Sequence, residues 1–200
     1  MVAALVRHGE YRQLPDTPSA HQPFPLTPEG ESQARLAADA LRTAMETGGW
    51  TLSPEVHSSQ MLRAWQTARI IVEQLASGSS GRLRLMSFDA LAERGLGSAA
   101  NLTITQIETV VHEDPRFPDL PEDWKSNSRF RVPLQGAESL LEAGERVAAH
   151  ISKQLEALTR KAQSDTMQLF VGHGAAFRHA AYHLGILAYE QIAQLSMYHA

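Results

Sequence analysis

Two histidines stand at matching places in the sequence, each beside glycine at the end of a short apolar run. Val2 to Val6 stops at Arg7, His8 and Gly9, and Met167 to Val171 stops at Gly172, His173 and Gly174. Runs of that length ended by glycine read as buried strands. Each strand therefore delivers an imidazole, and the first also a guanidinium, to the point where the chain turns. A lone Arg-His-Gly recurs easily by chance and is as well explained by a buried histidine beside a surface arginine. A structural histidine has no reason to repeat the placement. Arg63, in the first turn of a predicted helix, and Glu93, just past a third strand-like run, Arg82 to Phe88, extend the set.

Phosphoryl transfer is the chemistry that such a set can perform. A phosphoryl group in flight spreads negative charge over its equatorial oxygens, so catalysis is mostly positioning and electrostatic stabilisation. Two guanidiniums and two ring donors can do this in place of a metal. A neutral imidazole can also attack phosphorus once its other nitrogen is fixed by an acceptor. Arg63 gains from the helix start itself, where free N–H groups and the dipole favour anions; the alternative is an ordinary surface arginine. Glu93 is either a salt-bridge partner of these cations or a proton donor, and the residues alone leave both open.

The segments between these residues must bring them to one edge. Tyr11 to Leu26 is proline-rich and aperiodic, a loop over the strand ends. Thr27-Pro28-Glu29 starts a helix whose apolar stripe is read as Leu36, Ala37, Ala40, Leu41 and Ala44, ending at Gly48-Gly49. Pro54 to His57 is a short strand, Ser58-Ser59 a cap, and Met61 to Ala76 a helix. Thr103 to Glu113 is a further helix, and Asp114 to Pro133, with Trp124, Arg129 and Arg131, is an irregular excursion of the kind that forms lids. From Gly136-Ala-Glu-Ser139 a long helix runs to about Arg160, and Ala175 to Leu184 is the last one. This alternation builds an α/β fold: a mostly parallel central sheet with helices on both faces, a three-layer sandwich. Ligands of such sheets bind at the carboxyl ends of strands, where Arg7, His8, Arg63, Glu93 and His173 all fall.

Composition narrows the partners. The 200 residues suit one domain, 1–200, with loop insertions at about 11–26 and 114–133. A formal charge of −4 offers no general attraction to nucleic acid or acidic membranes, so an anion must be held by a local cluster. The chain has no cysteine, which excludes disulfides and thiolate metal sites, and no long apolar run; a cytoplasmic location is expected. Ser77 to Gly81 reads as a flexible loop.

Six segments in order resemble the motifs of the histidine phosphatase superfamily, also called phosphoglycerate mutase-like. Leu5-Val-Arg-His-Gly-Glu10, Ser59-Gln-Met-Leu-Arg-Ala-Trp-Gln-Thr-Ala68, Leu91-Ala-Glu-Arg-Gly-Leu-Gly97 and Val171-Gly-His-Gly174 match its main motifs. Pro25-Leu-Thr-Pro-Glu-Gly30 with Gln33-Ala34, and Gly136-Ala-Glu-Ser139 with Arg146-Val147, match two accessory ones. The resemblance implies a phosphoglycerate mutase-like fold and a phosphohistidine mechanism without metal or other cofactor. His8 would be the nucleophile, Arg7, Arg63 and His173 the phosphate clamp, and Glu93 the proton donor and then base. Mutases of the family continue Arg-His-Gly-Glu with Ser-x-Trp-Asn and a nearby Thr-Gly, whereas here Tyr11-Arg-Gln-Leu14 follows. Hydrolysis is therefore expected over isomerisation: a phosphomonoesterase acting on a small phosphorylated metabolite. The alternatives are a phosphomutase and a catalytically weak, regulatory phosphate-binding module. The family usually adds a last edge strand, which Leu195 to His199 is expected to supply unless the end is trimmed.

Gly9 and Gly174 are expected to let backbone approach the phosphate, and Arg12, His21 and Arg94 to line the pocket. No metal is expected. His179 and His183 stand i, i+4, as ligands often do, yet lack a third partner. Oligomeric state is open, a homodimer being one arrangement.

Overall fold

A computed structural model of the chain describes residues 1–18, 21–76, 82–160, 165–195 and 197. The five strands are β1 (Val2–Arg7), β2 (Thr51–Leu52), β3 (Glu55–Ser59), β4 (Arg84–Phe88) and β5 (Thr166–Gly172). The helices are α1 (Pro28–Gly48), α2 (Leu62–Ala76), α3 (Ile104–His112), α4 (Leu140–Thr159) and α5 (Gly174–His183). The sheet order is β1-β5-β3-β4, with β2 also on β5, and every pairing is parallel.

The two-residue β2 escapes a reading by apolar runs. It pairs with β5 at Thr51 and Leu52, and β3 takes over the same edge at His57 and Ser58. Pro54 separates them because it has no N–H to give to the ladder. The expected cap Ser58-Ser59 belongs to β3 instead, and the Ser59 hydroxyl accepts from Met61 N–H at 3.2 Å just before α2.

Alternation along β5 sorts the core into two layers. Leu169 and Val171 pack with Ala38 and Leu41 of α1 and Ala68, Ile71 and Leu75 of α2 on one face. Phe170 packs with Val147 and Ile151 of α4 and Phe177 and Ala180 of α5 on the other. The buried face of α1 is the expected stripe in part: Leu41 is buried and Ala37 and Ala44 pack against the core, but Leu36 and Ala40 are exposed. Gly30, Ala34, Ala38 and Leu41 are buried, while Leu36 is 67% exposed. Small side chains line this face where α1 meets α2, and one exposed leucine misdirects a reading based on bulk.

Both loop insertions are closed at the base by an antiparallel bridge, Tyr11 with Leu26 and Leu96 with Ala137. The second is larger than the expected lid at 114–133. Trp124 and Val132 pack with Leu96, Ala99, Ile107 and Val111 into a third cluster, so most of the excursion is a small core of its own. Ser139 caps α4 and exchanges hydrogen bonds with Glu142. Neither Leu195 nor Met197 is in a strand; residues 196 and 198–200, and the predicted loop at 77–81, lie outside the described residues.

A histidine pair seals α4 against the sheet. His57 Nδ1 lies 3.1 Å from His150 Nε2, and both rings contact Phe88 and Phe170. Burial lowers the pKa of His57, and burial with the neighbouring charges of His57 and Lys153 lowers that of His150 to about 4. The unfolded chain takes up these protons first, so stability is complete above about pH 6.5 and is lost as pH falls towards about 4. With the partial exposure of His150 discounted, the expected loss is on the order of 2 kcal/mol. Urea midpoints across this range should fall for the wild type and fall less for His150→Leu; parallel profiles would refute the assignment.

Candidate active site

Adjacent parallel strands bring the two histidines together. Arg7 of β1 is in register with Gly172 of β5, and His8 N–H donates to the Gly172 carbonyl at 3.0 Å, which carries the pairing one residue past the strand. The rings of His8 and His173 consequently stand 5.1 Å apart between centroids. Arg63 reaches the same place from the first turn of α2, which follows β3 on the other side of β5.

The hydrogen bonds settle the tautomer of His8. Its Nδ1 lies 2.7 Å from the Gly9 carbonyl, which can only accept, so Nδ1 carries the proton. Nε2 accepts from Arg63 Nε–H at 3.1 Å, so its lone pair faces the guanidinium. The loop is held from below: Gly9 N–H donates to the Thr67 hydroxyl at 3.0 Å, and that hydroxyl donates to the Arg63 carbonyl at 2.8 Å. A Cβ on Gly9 would lie 2.3 Å from the Gly30 carbonyl oxygen. The close approach that demands glycine there is thus to the start of α1, not to the site.

Arg63 is fully buried and organises the centre. Its Nη1 donates to the Gln22 carbonyl at 3.3 Å and its Nη2 to His173 Nδ1 at 3.2 Å, and its Cζ sits 4.3 Å from the centroid of the Tyr11 ring. Tyr11 also meets the His8 ring edge-on at 5.3 Å. Because arginine only donates, Nδ1 of His173 is an acceptor and its proton is on Nε2, 2.9 Å from the Ser59 hydroxyl. Burial first, then the charges of Arg63 and His8, hold His173 well below the usual imidazole pKa. It is a neutral ring.

Arg7 and Glu93 complete the cluster. The Arg7 side chain lies against Gly174, where a Cβ would meet Arg7 Cδ at 3.2 Å. Arg7 Nη1 donates to the Met197 carbonyl at 2.6 Å, while its buried Nε has no hydrogen-bonding partner among the described residues. Burial lowers its pKa against the raising effect of Glu93. Glu93 is 9% exposed; one oxygen accepts from Arg94 N–H at 2.9 Å and the other from Ala175 N–H at 3.2 Å, at the start of α5. Among the described residues no carboxylate hydrogen-bonds Arg7, and the charge of Glu93 acts on Arg7, Arg63 and Arg94 from a longer distance.

Two adjoining cavities surround these groups. The smaller, about 220 Å³, is lined by Arg7, His8, Tyr11, Gln13, Pro18, Arg63, Glu93 and Gly174. The larger, about 860 Å³, shares Pro18 and Glu93 with it and is bounded by Arg94, residues of the 123–128 segment, and Arg178 and His179 of α5. Among the expected pocket residues, Arg94 lines the larger cavity. Arg12 is exposed and lines neither, its neighbours Tyr11 and Gln13 taking that place. His21 braces the site from outside, with Nε2 2.9 Å from the Glu93 carbonyl. Neither Arg129 nor Arg131 covers the centre: Arg129 stacks on Tyr189 and Arg131 pairs with Glu142.

Reading by motif misses Tyr11, Gln22 and Arg178 as members of the site, and gives no role to Ser59 and Thr67, which stand inside the second motif. Thr67 has one signal, its i, i+4 spacing from Arg63 on α2. His179 and His183 do not face a common ion. His179 is held by the Ala175 carbonyl and Ser128, His183 by the Leu141 carbonyl, and no group of three potential metal-ligating side chains occurs among the described residues. Likewise no described helix is long and apolar enough to cross a membrane.

Comparison with known proteins agrees with this architecture. No curated protein sequence is significantly similar to the chain. Among solved structures, the mycobacterial glucosyl-3-phosphoglycerate phosphatase superposes with a TM-score of 0.69 at 20% identity, covering 98% of this chain and 84% of the other. A mutant phosphoserine phosphatase from Entamoeba histolytica, in complex with phosphoserine, superposes with a TM-score of 0.60 at 17% identity, covering 98% and 86%. At such identities the likeness is one of fold. The sequence model of the histidine phosphatase superfamily (branch 1) matches residues 3–200, nearly the whole length, and it is to this family that the chain belongs.

Proposed function

We propose that the protein is a metal-independent phosphomonoesterase that works through a phosphohistidine on His8. The observation that carries the reading is the state of that ring: Nδ1–H is tied to the Gly9 carbonyl, which leaves Nε2 unprotonated beside a small cavity walled by two guanidiniums, its lone pair held by Arg63 Nε–H until a phosphate takes that donor. A nucleophilic imidazole needs this tautomer and this neighbourhood.

The reaction balances with the groups present. Nε2 of His8 attacks phosphorus, the bond to the ester oxygen breaks, and Glu93 delivers a proton to the departing alcohol. Water then attacks the phosphoryl group on His8, Glu93 takes its proton, and inorganic phosphate leaves with the neutral ring restored. Arg7 and Arg63 carry the equatorial charge; the orphaned Nε of Arg7 is a donor available to it. A bound phosphate would take Arg63 N–H groups that now point at the two rings. His173, neutral and fully buried, lines neither cavity; held by Ser59, it supports the clamp by fixing the Arg63 guanidinium rather than by adding charge of its own. Glu93 keeps a second acceptor position on each oxygen beyond its two backbone N–H bonds.

Hydrolysis of an aryl phosphate in excess EDTA, with release of inorganic phosphate, tests the reading. Brief incubation with radiolabelled substrate and alkaline quenching should trap label on His8, as phosphohistidine is stable to base and labile to acid. Activity lost to EDTA, or turnover with no label on His8, would refute it.

A further inference from the structure

The carboxylate of Glu93 is held at the small cavity by two backbone N–H groups among the described residues, those of Arg94 and Ala175. Arg94 is its neighbour in the chain, so one of these restraints moves with Glu93 itself. Where the carboxylate stands therefore depends on what fixes the backbone of residues 89–95.

That backbone is gripped from α4. Leu91 ends a single 3-10 turn, Asp89–Leu91, and is fully buried in one cluster with Val147 and Ile151. Next to Val147, the Arg146 guanidinium meets the same turn and its exit: Nη1 donates to the carbonyls of Asp89, Ala90 and Ala92 at 3.2, 3.0 and 3.1 Å. Its Nε and Nη2 donate to the Glu138 carboxylate at 3.4 and 2.6 Å. Glu138 in turn holds both backbone groups of Gly95, accepting from its N–H through Oε1 and donating its own N–H to its carbonyl, each at 3.0 Å. The bridge of Leu96 with Ala137 continues this contact. One ion pair thus fastens the chain on both sides of Glu93. His21 Nε2, 2.9 Å from the Glu93 carbonyl, holds the residue between.

Neither Arg146 nor Glu138 lines either cavity. We infer that they are a positioning pair for the proton donor, acting through the 89–95 backbone to keep the Glu93 carboxyl at the small cavity without touching substrate. The role of Glu93 rests on the phosphatase reading; its support by the pair rests on the hydrogen bonds alone. A planar guanidinium suits the task, since its fork reaches the two carboxylate oxygens and the three carbonyls at once.

The departing oxygen supplies the test. An alkoxide must be protonated as its bond to phosphorus breaks, whereas dinitrophenolate leaves as an anion and needs no donor. The quantity to compare is kcat/KM for an alkyl phosphate and for dinitrophenyl phosphate, because it covers the steps up to departure of the alcohol. Arg146→Met should lower the alkyl value roughly 100-fold and the dinitrophenyl value less than about fivefold. Arg146→Lys keeps a charge opposite Glu138 but cannot span the five contacts; it should show the same selectivity at roughly tenfold, and it carries the test if the methionine variant does not fold. Added to Glu93→Gln, either substitution should cost the alkyl ester less than about threefold more, because the group being positioned is already gone. Equal losses on the two esters in the lysine variant, or losses that multiply with that of Glu93→Gln, overturn the inference and make the pair a support of the fold. Glu93→Gln without selectivity between the esters removes the proton donor from the phosphatase reading and the inference with it. A wild type that hydrolyses neither ester overturns the phosphatase reading as a whole.

Discussion

His8→Ala is expected to lower kcat/KM for an aryl phosphate by about four orders of magnitude or more, since loss of the proposed covalent nucleophile would take away the whole two-step path rather than one stabilising contact. The fold should survive. His8 sits one residue beyond β1, and its backbone hydrogen bond to Gly172 does not depend on the side chain. The variant leaves a space next to Arg63 and Tyr11 in a cavity of about 220 Å³, so added imidazole should restore part of the activity. Rescue separates loss of the nucleophile from loss of structure. Activity within tenfold of the wild type would instead assign the nucleophile to water or another side chain, and His8 would be reduced to a wall of the phosphate site.

The sequence reveals His8 and His173 because both obey a local rule, an apolar run that ends in an imidazole and glycine. Parallel pairing of β1 with β5 then needs no further information to bring them together. Arg63 is legible for the same reason, as a cation in the first turn of a helix that follows a strand. What stays hidden depends on contacts between distant segments. Tyr11 follows the first motif by two residues, and nothing in its type says that its ring will lie over Arg63. Arg178 looks like one more polar residue on an amphipathic helix until α5 places it over a cavity whose opposite wall comes from the 123–128 segment.

Where the fold departs from expectation, the reasons are equally physical. The α1 stripe is only partly found by a reading of bulk, because beside Leu41 its deepest residues are Gly30, Ala34 and Ala38, and small residues carry little hydropathy signal however deeply they are buried. The excursion that reads as a lid has its own core because Trp124 and Val132 pack against α3 and Leu96 at no fixed period. Gly9 is expected to admit a ligand, but it is the backbone of Gly30 that requires the space. A glycine in a motif indicates close approach without naming what approaches.

Arg63→Met is expected to cost about two to three orders of magnitude in kcat/KM, the loss typical of a preorganised donor to transition-state charge. Arg63→Lys should recover little of it. The guanidinium donates through Nε to His8, through Nη1 to the Gln22 carbonyl and through Nη2 to His173, while its plane lies against Tyr11. An ammonium is a point charge on a flexible stem, and it cannot occupy those directions together. If Arg63 served only as a positive charge, lysine would restore most of the rate, and that result would reject the geometric account. A second readout distinguishes this from general damage. The Arg63 charge is the largest cause, after burial, of the low pKa of His173, so its removal should let the His173 ring titrate at higher pH in an NMR titration. An unmoved His173 together with an impaired rate would mean that Arg63 acts on substrate alone, without setting the charge state of its neighbour.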